Sequence, residues 1–175
     1  MNIETNSSGI NIIFLDVDGV LNCKETTDRC DRYIGIDDKK INYLKQIVDQ
    51  TAAKIVLVST WKEFWFKNPH MKAYQDNLAN YLDEKLAKQG LSIVDKINDG
   101  HGFGSRGTGI KNYLAKLKFY EIEVNNYVIL DDLPFDYLKV KLTKNLIRTS
   151  YDKGGLKLSH VKKAINILNN KERIS

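Results

Sequence analysis

Cysteine and proline are scarce in this sequence, with two of each in 175 residues. So few cysteines exclude a disulfide-stapled scaffold, and Cys23 and Cys30 are expected to be free thiols. Neither has partners at the spacing of a zinc or redox motif, and His70, His101 and His160 are not spaced as metal ligands either. Long apolar runs are also missing. NIIFLDV and KIVLVST fall far short of the roughly 20 residues that cross a bilayer, so no membrane association is expected. The opening MNIETNSSG is polar and has no charged region followed by an apolar one, so the expectation is a cytoplasmic protein. No repeat, low-complexity block or Pro/Gly/Ser-rich linker divides the chain, and residues 1–175 are expected to form one domain large enough to bury a core.

What is present fits an ordinary globular protein: 42% hydrophobic and 28% charged residues. The net charge of +5 and pI near 9.0 suit a polyanionic partner, but a solvated lysine-rich surface gives the same sum.

Three near-continuous apolar runs have strand length: 10–16 (INIIFLD), 54–59 (KIVLVS) and 126–130 (NYVIL). Such runs suit strands buried on both faces of a parallel sheet. Residues 91–95 and 145–149 read as further strands. Between them, 37–50 places Ile41, Leu44, Ile47 and Val48 on one helical stripe, and a second helix is expected over 71–89, stopped by Gly90. A third runs from about 107 to 118, and Ser159 is expected to cap a fourth carrying Val161, Ile165 and Leu168. Alternating strands and helices predict a three-layer α/β, Rossmann-like domain with a mostly parallel sheet of about five strands. Ligands then bind at the carboxyl ends of the strands.

Strand one runs straight into Asp16, Val17, Asp18 and Gly19. Two acids after a buried run are costly unless something pairs with them, and a divalent cation would resolve the cost. Gly19 lets the chain turn sharply there. The YVIL run ends likewise, in Asp131 and Asp132. Two strands delivering acid pairs to one edge make an oxygen-rich pocket suited to Mg2+; the alternative is that each pair is a solvated loop or helix cap. KIVLVST delivers Ser59 and Thr60, hydroxyls able to hold a phosphoryl oxygen, though strands commonly end this way. GHGFGSRGTGIK is a glycine-rich loop carrying Arg106, with Lys111 about a turn into the next helix. A cation there would balance the carboxylates and hold a phosphate. The GxxxxGK[ST] pattern of a P-loop is absent.

In this order, DVDGV, VLVST, a basic residue before a helix, then ILDD, the chain resembles the haloacid dehalogenase-like (HAD-like) phosphatase superfamily over roughly residues 10–150. VLVSTWK, RGTGI and the late RTSYDKGGL are more closely similar to phosphatase modules of bacterial and phage nucleic-acid repair proteins. The resemblance implies that Asp16 attacks phosphorus and becomes a transient aspartyl-phosphate, while Asp18 protonates the leaving oxygen and then activates water. It implies Ser59 as the phosphate-binding hydroxyl, with Thr60 the less favoured occupant. Mg2+ would lie among the Asp16 carboxylate, the Asp18 carbonyl and Asp131, with Asp132 ligating or orienting water. Arg106 is favoured over Lys111 as the cation, although the superfamily usually has lysine. Dehalogenases expel halide and need no proton donor at the second position of DxD, so Asp18 argues for a phosphatase.

The superfamily inserts its caps after the first motif or between the second and third. From Asn22 to the helix near Asp37 only about 15 residues are free, and from Trp61 to Ser105 about 45 are largely consumed by a helix and a strand. No substantial cap is therefore expected. An open site suits a large substrate, such as a phosphorylated polynucleotide end or a nucleotide. A phosphoprotein phosphatase, a phosphotransferase and a non-hydrolytic binding module are the alternatives. Gly19, Thr60, Trp61 and Lys62 are candidate substrate contacts. Trp61, Phe64, Trp65 and Phe66, interleaved with Lys62 and Lys67, could stack on bases, or pack beneath the following helix. Tyr33 and His101 are weaker candidates at the entrance.

Overall fold

The computed structural model describes residues 9–99 and 105–170. Its elements in chain order are β1 (Ile10–Leu15), β2 (Arg29–Cys30), β3 (Tyr33–Ile34), α1 (Asp38–Thr51), β4 (Lys54–Leu57), α2 (Asn77–Ala87), β5 (Ile93–Lys96), α3 (Arg106–Phe119), β6 (Val124–Asp131), β7 (Leu146–Arg148) and α4 (Leu158–Leu168). Five strands form one parallel sheet in the order β5-β4-β1-β6-β7. The chain winds outward from β1 to β4 and β5, then returns to the other side of β1 for β6 and β7. The switch point therefore lies between β1 and β6, where open α/β sheets form their crevice.

The apolar runs are buried on both faces, as parallel pairing requires. Ile13 and Leu15 of β1 join a core with Leu44 of α1, Leu82 of α2 and Val161 of α4. Ile12 and Phe14 enter a second core, on the opposite face, with Ile110 and Leu117 of α3 and with Tyr137. Each fully buried aliphatic side chain contributes about 1.5–3 kcal/mol. These two cores separate the three layers.

Two local expectations change, and one short element is additional to them. The helix expected over 71–89 is a 3-10 turn over Pro69–Tyr74 followed by α2, because Asp76 accepts from Ala79 N–H at 2.8 Å and starts a new helix. Ser159 lies inside α4, which opens at Leu158 with Lys157 in the cap position. The interval before α1 contains the two-residue-per-strand hairpin β2–β3, too short for a periodic signal. That hairpin and α2, which packs into the sheet's own core, occupy both cap positions, so no large cap is present among the described residues. Cys23 and Cys30 are buried free thiols. No helix among the described residues is long and apolar enough to cross a membrane.

Candidate active site

The register of β1 with β6 aligns Leu15 with Leu130, and Asp16 N–H donates to Leu130 O at 2.9 Å. Asp16 and Asp131 therefore leave neighbouring strands at the same level. Carboxylate oxygens of Asp16, Asp131 and Asp132 lie within 4.8 Å of one another. The Asp131 side chain is fully buried: its Oδ2 accepts from Arg106 Nη1 at 2.6 Å and Tyr137 Oη at 2.6 Å, and its Oδ1 from Leu133 N–H at 2.9 Å. Arg106 Nη1 also lies 3.1 Å from Asp16 Oδ2, and its guanidinium stacks 4.1 Å from the Phe135 ring centroid.

Burial pushes the Asp16 carboxyl from 3.8 up to about 6; Asp131 adds to the rise, while Arg106 and hydrogen bonds from Val17 and Ser59 oppose it. Asp132 is raised by burial and by the charges of Asp131 and Asp18. Burial disfavours the charged form of Arg106, but Asp16 and Asp131 outweigh it and raise its pKa. One arginine thus offsets part of the repulsion among three acids. Oxygen donors only, crowded and partly unneutralised, fit a hard divalent cation such as Mg2+.

Asp18 sits at the exposed rim of this group. Its Oδ1 accepts from Asn22 Nδ2 at 2.8 Å and its Oδ2 from Trp61 Nε1 at 2.9 Å. Asn22 is fully buried, and its Oδ1 accepts from Gly19 N–H at 2.9 Å. Gly19 has φ +72°, and a Cβ there would come within 2.3 Å of Asp132 Oδ2. Only glycine lets the loop pass this close to the acid.

Trp61 is buried beside α2 rather than open to stack on a base, and its N–H is committed to Asp18. Trp65 is buried too and donates to Asp83 Oδ1 at 2.9 Å, while Phe64 is exposed. Ser59 is buried at the end of β4 and Thr60 is exposed. Lys62 is paired with Asp99 at 3.2 Å. Lys111 is exposed on α3, five positions past Arg106 and so about 140° around the helix. His101 lies outside the described residues.

Sequence reasoning did not single out Asn22, Tyr137 or Asp136. Asp136 accepts from the Gly107 and Thr108 N–H groups at 2.6 and 3.0 Å, capping the start of α3 and so helping to fix Arg106. Asn22 stood within FLDVDGVLN, where a polar residue after Val20 and Leu21 was a usable signal. Asp136 and Tyr137 carry no local signal, because their partners lie elsewhere in the chain.

A doubly wound sheet with acids converging at its switch point, opposed by one buried arginine, defines a HAD-like domain of phosphatase type. A family model described as the HAD domain in Swiss Army Knife RNA repair proteins matches residues 12–161, and the chain belongs to that family. No curated protein matches the chain.

Proposed function

We propose that the protein is a Mg2+-dependent phosphomonoesterase acting through an aspartyl-phosphate on Asp16, on a large substrate such as a phosphorylated nucleic-acid end. The observation that carries this reading is the pairing of a buried carboxylate beside a cation, Asp16 with Arg106, with a second carboxylate at the rim, Asp18, held by two N–H donors. Mg2+ would be held by Asp16, Asp131 and Asp132, and by the Asp18 carbonyl by family resemblance; it would supply positive charge against the phosphoryl oxygens.

An Asp16 oxygen attacks phosphorus as the bond to the ester oxygen breaks, and the leaving oxygen takes its proton from Asp18. Asp18, now ionised, takes a proton from water, whose oxygen attacks the same phosphorus. Inorganic phosphate leaves and Asp16 is restored. Arg106 balances charge beside Asp16 throughout, and Ser59 offers a hydroxyl to a phosphoryl oxygen.

The test is Mg2+-dependent phosphate release from an aryl phosphate and from 5'- and 3'-phosphorylated oligonucleotides by wild type and Asp16→Asn. Release by wild type alone is expected. Equal release by the variant on every substrate removes Asp16 from its role.

A further inference from the structure

The segment 148–156, RTSYDKGGL in the sequence, supplies no group to the chemistry above, yet it is fastened to the catalytic loop. Thr149 Oγ1 donates to Gly19 O at 2.7 Å, and Leu156 N–H to Val20 O at 2.9 Å. Lys24 N–H donates to Tyr151 O at 3.3 Å. Gly155, at φ +59°, passes so close that a Cβ would stand 2.8 Å from Asn22 O and 2.9 Å from Val20 O. Three hydrogen bonds and this close pass tie the two loops together.

Against this segment lies a cleft of about 600 Å³ that begins at Asp132 and is lined by Arg148, Ser150, Tyr151, Lys153 and Lys157. Its volume is that of a ligand site rather than of a single ion. Asp152 is the other acid in the lining. Arg148, Lys153 and Lys157 are exposed and have no carboxylate partner among the described residues. Other exposed lysines, Lys54, Lys116 and Lys144 among them, also lack a carboxylate partner among the described residues; what distinguishes Arg148, Lys153 and Lys157 is that they line one cleft beside Asp132.

We propose that this cleft is a binding site for the phosphodiester backbone of a single-stranded nucleic acid, holding the strand whose terminal phosphate lies at Asp16. This rests on the phosphatase reading for what happens at the end, but not for the binding itself. Repeated anions need cations spread along a track rather than gathered at a point, and the cleft runs from Asp132 out to the start of α4. Tyr151 adds a half-buried ring on which a base can stack. A peptide bearing one phosphate would leave most of these cations unused.

The experiment compares wild type with Lys153→Ala/Lys157→Ala. The first readout is fluorescence anisotropy of a labelled, end-phosphorylated single-stranded oligoribonucleotide in EDTA, over a series of salt concentrations. Removing two phosphate contacts should weaken binding on the order of tenfold at low salt and flatten the slope of log K against log salt by roughly 1.4. The second readout is the ratio of kcat/KM for that oligonucleotide to kcat/KM for an aryl phosphate, which should fall about tenfold through KM. Unchanged affinity and slope overturn the cleft as a strand site. An equal fall in kcat/KM for a phosphopeptide overturns the nucleic-acid assignment. Wild type that binds the strand but releases phosphate from neither substrate overturns the phosphatase reading and leaves the binding comparison to decide the cleft.

Discussion

Trp61 holds Asp18: the indole N–H reaches Oδ2 at 2.9 Å across 43 residues of sequence, from the turn after β4 to the loop after β1. With Asn22 on the other oxygen, the carboxylate is fixed in one rotamer. In the proposed mechanism, a general acid so held meets the leaving oxygen without a search. Trp61→Phe keeps most of the buried ring and deletes the donor. A hydrogen bond to a charged group is worth about 1.5–3 kcal/mol, but the exposed rim lets water replace part of it. The expected result is a fall in kcat of about tenfold on an aryl phosphate, with KM little changed. A loss that tracks only the fraction of folded protein would mean the ring packs and does nothing more.

Gly19 and Asp132 make the second test. Alanine at Gly19 must occupy φ +72° and push against the Asp132 carboxylate. Left-handed strain at a non-glycine residue costs about 1–3 kcal/mol, and the displaced acid belongs to the carboxylate cluster. Denaturant unfolding of Gly19→Ala should show that loss, and stabilisation by added Mg2+ should be smaller than in wild type. A variant with wild-type stability would mean that the loop has room the geometry denies.

The strands were legible because burial on both faces leaves almost continuous apolar runs, as IIFL in β1 and YVIL in β6 do. The acids were legible because polar residues ending such runs demand a partner. The break before α2 was not, since the capping role of Asp76 competes with an apolar pattern that continues through it. The use of Trp61 was invisible for another reason. Nothing local distinguishes an indole that stacks on a substrate from one that donates to an acid brought near by the sheet. Likewise, the choice between Arg106 and Lys111 turned on where α3 begins, which Asp136 sets from a distant loop.

The raised Asp16 carboxyl predicts a pH dependence of known sign. In the metal-free folded chain its pKa lies near about 6 against 3.8 ordinarily, so folded protein keeps a proton that unfolded protein has released. Its contribution to stability is therefore complete below 3.8 and is lost as pH rises through about 6. In EDTA, the urea midpoint of wild type should fall across that window relative to Asp16→Asn, which cannot titrate. Mg2+ competes with the proton, so the stabilisation it gives should shrink as pH drops below about 6. Parallel curves for the two proteins would show that Asp16 does not titrate there.

Arg106 and Lys111 can now be separated by stability as well as by rate. Arg106→Ala strands Asp16 and Asp131, both buried, without the cation that faces them. Removing one partner of a buried ion pair costs about 3–5 kcal/mol, which denaturant unfolding in EDTA should register. Lys111→Ala touches only an exposed position, and its expected change lies within about 0.5 kcal/mol. Mg2+ supplies the two acids with a replacement charge, so saturating metal should return part of the stability of Arg106→Ala; at about 100 times Kd the linkage is worth about 2.7 kcal/mol. Phosphate release should not return with it, because in the proposed mechanism the arginine also balances charge beside Asp16 throughout the attack. If Lys111→Ala loses activity while Arg106→Ala retains it, the cation of this site lies a turn further along α3.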